Sequence, residues 1–228
     1  LRPLGLRAAV AGTHPMAASE DTEVSGGARY QVLERGLRDL ARREPTFALH
    51  VHVGVPLPEL AIAAFDRIRA YLPLFLALSA NSPFWRGHDS GMASFRTPLF
   101  QAFPRAGIPR RFGSYEDYVE CIDVLLRADA FPEPTFIWWD VRLQPRLGTI
   151  EVRVADAQTT IGEVAALAAL IQSLVRLEAT APRHGRSKAA APPKPRPCVV
   201  SVRFISRTRR ALPSCASPPP GTSPCRPA

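Results

Sequence analysis

Two short segments of alternating residues constrain the fold of this chain more than any other feature. In HVHVGV, which runs from His50 to Val55, the histidines point to one face of a strand and the valines to the other. In IEVRVAD, Glu151 and Arg153 share one face and the aliphatic residues share the opposite face. If both strands lie in one sheet and the aliphatic faces pack under helices, the free face presents two imidazoles, a carboxylate and a guanidinium.

The other periodic segments predict the helices and the remaining strand. Strand patterns cover Phe47–Val55, Phe136–Leu143 and Thr149–Ala155. Helical patterns run over Tyr30–Arg43, from Pro58 with a bend or end at Pro73, after a capping box at Ser114, and after a second capping box at Thr160. The mixture of strands and helices predicts an α+β fold, with helices long enough to cover one face of the sheet.

Composition divides the chain near residue 180. Residues 181–228 hold 11 of the 24 prolines and ten basic residues without any acid, so the preceding 180 residues carry 19 basic and 20 acidic side chains. We therefore predict a folded domain over 1–180 and a disordered tail over 181–228. The stretch VVSVRF in the tail has strand character but no evident partner. Because the tail is rich in arginine, a frameshifted end is a further hypothesis.

Function classes are limited by the same counts. A nearly neutral domain is not expected to bind nucleic acid specifically. No apolar run reaches the roughly 18 residues that a membrane span needs, so no membrane association is predicted. Only Cys121 lies in the domain, and the tail cysteines match no zinc motif. With no disulfide framework, the expected setting is cytoplasmic.

The polar face formed by the two strands is the candidate site. A carboxylate and a neutral imidazole can bind a divalent cation, and an imidazole with an arginine suits phosphate or carboxylate oxygens. This combination is typical of phosphoryl transfer, in which the protein positions groups and neutralises charge. The alternative interpretation is a solvated polar face with an incidental Glu–Arg pair.

Seven sequence blocks carry a resemblance to a known family. They are GTHP, HVHVGVP, ALSANSPFW, SFR, FGSYEDY, WWDVR and EVRVAD. In order and spacing they resemble the carboxylate–amine ligase, or type 2 glutamate–cysteine ligase, family. The resemblance implies a glutamine synthetase-like antiparallel sheet with helices on one face. It also implies ATP-dependent joining of a carboxylate, such as the γ-carboxylate of glutamate, to an amine such as that of cysteine.

The resemblance also implies roles for individual residues. His50 and Glu151 match the ligands of a catalytic Mg²⁺ ion. His52 matches a contact to nucleotide phosphate, and Arg153 matches a catalytic arginine that binds the transferring phosphate or the substrate carboxylate. Arg96, in the SFR block, is a weaker candidate for a contact to a substrate oxyanion, with an ordinary loop arginine as the alternative.

One family feature is missing from the sequence. No glutamate cluster of the G-x-E-E-E type precedes these blocks, so we expect the fold to be incomplete at its N-terminus and the magnesium shell to lack oxygen ligands. Uncovered strand edges predict poor solubility or self-association as a homo-oligomer. The alternative function is a non-catalytic remnant or binding module that acts through its basic tail.

Overall fold

The computed structural model describes residues 9–18, 27–42 and 46–181, together with Pro3 and the short stretches 22–23, 199–204 and 207–208. The helices are α1 (Ala28–Leu37), α2 (Asp39–Arg42), α3 (Pro58–Ile68), α4 (Leu72–Ser79), α5 (Arg96–Gln101), α6 (Tyr115–Arg127) and α7 (Ile161–Thr180). The strands are β1 (Thr22–Glu23), β2 (Phe47–Gly54), β3 (Phe84–Trp85), β4 (His88–Asp89), β5 (Ala106–Gly107), β6 (Trp138–Trp139), β7 (Val141–Gln144), β8 (Thr149–Val152), β9 (Val199–Phe204) and β10 (Arg207–Thr208).

The central sheet has the order β7-β8-β2-β9, and all its neighbouring strands are antiparallel. The two alternating segments are adjacent, with His52 paired to Glu151 and Val51 paired to Val152. Since paired residues project to the same face, this register places all the valines on one side. The predicted α+β class is confirmed, and both alternating strands lie in one sheet, which is the condition that the candidate polar face requires.

Helices α3 and α7 pack on the aliphatic side of the sheet and against each other. Val51, Ile150 and Val152 are fully buried there against Phe65 of α3 and Ile171 of α7. Each such side chain contributes about 1.5–3 kcal/mol by leaving water. This apolar layer fixes the orientation of both strands, and therefore forces their polar residues to the opposite face.

Local signals placed several helix ends correctly. The Ser114 hydroxyl accepts a hydrogen bond from the backbone N–H of Asp117, and Thr160 forms a reciprocal capping box with Glu163. Because these side chains satisfy backbone N–H groups of the first turn, α6 begins directly after Ser114 and α7 begins directly after Thr160. The interruption expected at Pro73 lies a few residues earlier: α3 ends at Ile68, a 3₁₀ turn covers Arg69–Tyr71, and α4 begins at Leu72. Pro73 lies in the first turn of α4, where a proline is tolerated because its missing N–H has no partner there.

Two predicted elements are divided in the structure. The helix predicted over Tyr30–Arg43 is interrupted at Arg38, whose φ of 48° closes α1 with a hydrogen bond to the Glu34 carbonyl. The strand predicted over Phe136–Leu143 is divided at Asp140, so that β6 pairs with β5 in a separate small sheet and β7 joins the central sheet. In both cases a single residue changes the chain direction.

The prediction for the tail is corrected at two short stretches. Val199–Phe204, expected to lack a partner and to be disordered, pairs with β2 as strand β9, and Arg207–Thr208 pairs with β1. The physical reason is that β8 covers only one edge of β2, and the other edge offers backbone groups that a strand can pair. The other tail residues, on which the disorder and basic-module predictions also rest, lie outside the described residues. Over the part of the chain that the structure describes, no helix is long and apolar enough to cross a membrane.

Candidate active site

The four residues singled out by alternation meet on the polar face of the sheet. His50 and His52 project from β2, Glu151 projects from β8, and Arg153 directly follows β8. His50 Nδ1 lies 3.3 Å and His52 Nε2 lies 3.5 Å from the same oxygen, Oε1 of Glu151. All four residues are buried, and Glu151 is completely inaccessible. The site is therefore a closed cluster centred on one carboxylate.

Guanidinium groups hold both oxygens of that carboxylate. Arg153 Nη1 donates to Oε1 of Glu151 at 2.6 Å, and Arg142 Nε donates to Oε2 at 2.7 Å. Gln144 Nε2 also donates to Oε2, at 3.0 Å. Arg142 is fixed in turn by the backbone carbonyls of Thr135 and Ile137, which accept from its Nη1. Because charge-assisted bonds of this kind are strong, Glu151 has little freedom to move.

The electrostatics of the cluster favour an ionised carboxylate and a neutral histidine. Burial by itself would raise the pKa of Glu151, but hydrogen bonds from His50 and His52 and the charges of Arg153 and Arg142 outweigh burial, so the pKa is held well below its usual range. Burial and the neighbouring Arg153 lower the pKa of His50 to about 3. Burial, and then Arg142, lower the pKa of Arg153 to about 10, so its guanidinium remains charged near neutral pH.

The hydrogen-bond network also indicates which nitrogen of His52 carries the proton. His52 Nδ1 lies 3.0 Å from the Thr149 hydroxyl oxygen, which can donate to it. With Nδ1 accepting, His52 Nε2 carries the proton and directs it toward the carboxylate oxygen Oε1 of Glu151. This tautomer presents a donor, rather than a lone pair, on the side of the cluster where Glu151 and Arg153 meet.

The donor set fits an anion better than a divalent cation. Oε1 of Glu151, to which both imidazoles point, already accepts from Arg153, whose Nη1 is also 3.4 Å from His50 Nδ1. Two guanidiniums surround one carboxylate, so positive charge is in excess. Within the described residues, no group of three or more His, Cys, Asp or Glu side chains is placed to hold a metal ion. As arranged, these residues do not fit Mg²⁺, and the predicted ligand roles of His50 and Glu151 stay predictions.

Arg153 carries a second feature that suits an anion. Its Nε is buried and finds no hydrogen-bond partner among the described residues. An unsatisfied buried donor on a charged group is costly, by about 1–3 kcal/mol or more. An oxygen of a phosphate or carboxylate ligand would remove this cost.

Arg96, the weaker candidate, lies close to the cluster but faces the backbone. Its Nη1 and Nη2 donate to the carbonyls of Val154 and Arg153, at 3.0 and 3.2 Å. Its Nη1 is also 3.6 Å from Oδ1 of Asp156. The side chain is almost completely buried. These contacts fasten the chain that follows β8, and so position Arg153.

Three further residues belong to the site although their sequence pattern did not single them out. Arg142 pairs with Glu151 across β7 and β8, and Gln144 lies two residues further along the same face. Alternation within VRLQ was the available signal, once the pairing of that strand with β8 is known. Asp140, half-buried, has its pKa raised by burial, which the charges of Arg96 and Arg153 only partly counter.

A second buried carboxylate, that of Asp156, is contacted by several of the sequence blocks quoted above. It accepts hydrogen bonds from the Asn81 N–H at 2.9 Å, the Ser82 hydroxyl at 2.6 Å and the Ser94 hydroxyl at 3.1 Å. Gly12 packs directly on its side chain. The blocks GTHP, ALSANSPFW, SFR and EVRVAD therefore meet at Asp156, and these contacts are structural.

Comparison with known proteins shows which family the chain belongs to. The model of Glutamate-cysteine ligase family 2 matches residues 1–199. The chain belongs to glutamate–cysteine ligase family 2. The resemblance carried by the seven sequence blocks is thereby confirmed.

Three relatives show how much of such a protein is represented here. A protein of Rubrobacter xylanophilus named "Putative glutamate--cysteine ligase 2-3" is 45% identical over 170 residues, which are 75% of this chain and 47% of that protein. Proteins named "Putative glutamate--cysteine ligase 2" from Sorangium cellulosum and Thermobifida fusca are 42% and 45% identical, over 75% and 76% of this chain and 46% and 43% of their own lengths. The chain spans less than half the length of these family members.

Proposed function

We propose that this chain supplies the phosphate-binding part of the catalytic site of an ATP-dependent carboxylate–amine ligase. The proposed reaction joins the γ-carboxylate of glutamate, or a related acid, to an amine such as that of cysteine. Membership of glutamate–cysteine ligase family 2 supports the reaction class. The antiparallel sheet, with helices on one face and a charged cluster on the other, supports a glutamine synthetase-like fold as part of the same proposal.

The reaction has two steps, and neither step oxidises or reduces any group. The γ-phosphoryl group of ATP moves to a carboxylate oxygen, which forms an acyl phosphate and leaves ADP. The amine nitrogen then attacks the acyl carbon, inorganic phosphate leaves, and the nitrogen loses a proton. Such reactions depend mainly on the positioning of oxygens and on neutralising their charge.

In this proposal Arg153 binds oxygens of the transferring phosphoryl group. The observation that carries the proposal is that Glu151 holds one nitrogen of this buried guanidinium at 2.6 Å while its Nε has no partner among the described residues. Glu151 and Arg142 thus keep Arg153 in place and leave a donor for the ligand. His52 lies on the same side with its Nε2 directed at Oε1 of Glu151, and its predicted contact to nucleotide phosphate is part of the same proposal.

Mg²⁺ neutralises phosphate charge in reactions of this class. His50 and Glu151 would bind the ion only together with oxygen ligands beyond the described residues, since their present contacts do not fit it. The proposed substrates are small molecules, and the proposed setting is cytoplasmic.

Calorimetric titration with ATP tests the phosphate-binding role. The natural chain should bind ATP, and Arg153→Lys should weaken binding at least about tenfold, because lysine keeps the charge but loses the fork of donors. Arg127→Lys is the matched control, since Arg127 is exposed on α6, where it pairs with Asp123 on the helix surface. Circular dichroism should show both variants folded. Equal ATP affinity in the natural chain and in a folded Arg153→Lys variant would contradict the proposal.

A further inference from the structure

The carboxylate of Asp140, close to Arg153, is not held by other side chains. Glu151 is completely buried and bonded to two guanidiniums, and Asp156 is equally buried and accepts from a backbone N–H and two hydroxyls. Asp140, by contrast, is half-buried and forms neither an ion pair nor a side-chain hydrogen bond with another described residue. Its carboxylate is therefore able to exchange water for a ligand.

The backbone fixes Asp140 beside the proposed phosphate-binding residue. Its carbonyl accepts from the Arg153 N–H at 2.7 Å, and its own N–H donates to the Gly107 carbonyl at 2.9 Å. The register that pairs Arg142 with Glu151 continues to Asp140 opposite Arg153. Residues opposite each other in antiparallel strands have Cβ atoms about 4.5–5.5 Å apart. A group held by Asp140 would thus lie next to an oxygen held by Arg153.

The charges around Asp140 favour an ammonium group over a divalent metal ion. Burial raises the pKa of Asp140, and the guanidiniums of Arg96 and Arg153 only partly counter this effect. A bound cation that donates hydrogen bonds would stabilise the carboxylate. The same two guanidiniums repel a doubly charged ion more strongly than a singly charged one. Phosphate oxygens bound at Arg153 would offset part of that repulsion.

The space beside Asp140 admits a small side chain. A Cβ added at Gly107 would have no neighbouring atom of the described residues within 4 Å. Ile108, the next residue, is 53% exposed, and Trp139 is paired with Gly107 in the small sheet. The surroundings of this space are therefore backbone and apolar side chains, which suit the short carbon and sulfur chain of cysteine better than a second charged group.

We propose that Asp140 binds the ammonium group of the amine substrate, an inference that rests on the ligase reaction proposed above. The acyl phosphate would form where Arg153 holds the phosphoryl oxygens. A carboxylate directly opposite Arg153 keeps the amine nitrogen near the acyl carbon that it attacks. Holding the two reactants together removes much of the entropic cost of their encounter.

Two ligands that differ in the amine group test the proposal. L-Cysteine carries an ammonium group, and 3-mercaptopropionate is the same molecule without it. Calorimetry near neutral pH should measure the affinities for both, for ATP and for Mg²⁺, in the natural chain and in the variants Asp140→Asn and Asp140→Glu. Asp123→Asn is the matched control, because Asp123 is exposed on α6 and pairs with Arg127. Circular dichroism checks that each variant is folded.

We expect the natural chain to bind L-cysteine at least about tenfold more tightly than 3-mercaptopropionate, because the ammonium group adds a charge-assisted hydrogen bond. Asp140→Asn should remove this preference, Asp140→Glu should keep part of it, and Asp123→Asn should keep all of it. ATP affinity should not fall in Asp140→Asn, since an acid near the phosphate site is removed. A natural chain without the preference, or a folded Asp140→Asn variant that retains it, would overturn the ammonium site. Mg²⁺ affinity that is lost only in Asp140→Asn would also overturn it, in favour of a metal ligand.

Carboxyl-carbon NMR of the natural chain provides a test that needs no variant. L-Cysteine should shift the Asp140 carboxyl resonance, and 3-mercaptopropionate should leave it in place. Equal shifts with both ligands would contradict the proposal. If ATP fails to bind the natural chain but the preference for L-cysteine depends on Asp140, the phosphate role of Arg153 is wrong and the ammonium site stands. If ATP binds through Arg153 and the preference is absent, only the ammonium site is wrong.

Discussion

Glu151 and Asp156 are two completely buried carboxylates only five residues apart, and their surroundings differ in kind. Glu151 is held by two guanidiniums, an amide and two imidazoles, on the polar face of the sheet. Asp156 is held mainly by a backbone N–H and two hydroxyls, with one arginine at a longer distance of 3.6 Å. The first environment concentrates charge, and the second ties loops together.

The difference separates a chemical site from a structural junction. The charged cluster holds one strongly hydrogen-bonding guanidinium in position to bind an anion. Removing these charges from water costs free energy of desolvation. A network of neutral donors satisfies a carboxylate fully and offers nothing to a ligand. We therefore expect changes at Asp156 to act on folding, and changes at Glu151 to act on folding and on ATP binding together.

The largest effect is expected for Asp156→Ala. It leaves three donors without their acceptor, of which the Ser82 hydroxyl is buried and the Asn81 N–H and the Ser94 hydroxyl are partly buried. Since a buried donor without a partner costs about 1–3 kcal/mol, we expect the free energy of unfolding to fall by about 4 kcal/mol. Urea denaturation measures this change. Glu120→Ala, at an exposed position of α6, is the control and should shift stability by less than about 0.5 kcal/mol. A loss no larger than the control's would mean that Asp156 is not the junction described.

Glu151→Gln should cost somewhat less, about 3 kcal/mol, because it leaves Arg142 and Arg153 buried without a counter-charge. Adding Arg142→Gln should recover part of that loss, since one uncompensated charge is removed. The comparison of single and double variants by urea denaturation checks this. The reference value is the loss of stability that Arg142→Gln causes by itself in the natural chain. If adding Arg142→Gln to Glu151→Gln lowers stability by that same amount, the two residues are not coupled through their charges.

Gly12→Ala probes the packing around Asp156 and should cost about 2 kcal/mol, as overpacking typically does. A Cβ at this position would lie 2.5 Å from Cγ and 2.7 Å from Oδ2 of Asp156, and the carboxylate cannot move without losing its hydrogen bonds. Gly36→Ala is the matched control. Nothing lies within 4 Å of its added Cβ, and an alanine near the end of α1 should stabilise by about 0.5 kcal/mol. Equal effects of the two substitutions would contradict the close packing.

The smallest effect concerns pH. The pKa of His50 is lowered from 6.5 to about 3 in the folded chain, so between these values the unfolded chain binds more protons and stability falls as the pH falls. From pH about 7 to about 5.5 the loss from this residue should be about 1 kcal/mol. The lowered pKa of Glu151 adds a further loss below its ordinary value of 4.5. His50→Gln should flatten the pH dependence of the urea midpoint above pH about 5, and His88→Gln, at an exposed position, should not.

The sequence predicts those features of the fold and of the candidate site that depend on local backbone geometry. Period-two alternation placed His50, His52, Glu151 and Arg153 on one face because that period is a property of the strand backbone. It could not show that Arg142 and Gln144 join them, because cross-strand partners depend on register. The pairing of β9 with β2 could not be predicted for the same reason. The chain also changes direction at Arg38 and Asp140, where neither residue is a glycine or a proline that would indicate a turn.

In the proposed site, Arg153 binds the phosphates of ATP through its Nε–H, the donor that does not contact Glu151. A proton–nitrogen correlation spectrum of the arginine side chains observes that donor directly, with Arg153→Lys used to assign the signal. Addition of ATP should shift the Arg153 Nε–H resonance strongly. Arg142 Nε–H, already bonded to Glu151, should shift much less. An Arg153 Nε–H resonance that stays in place when ATP is saturating would contradict the claim.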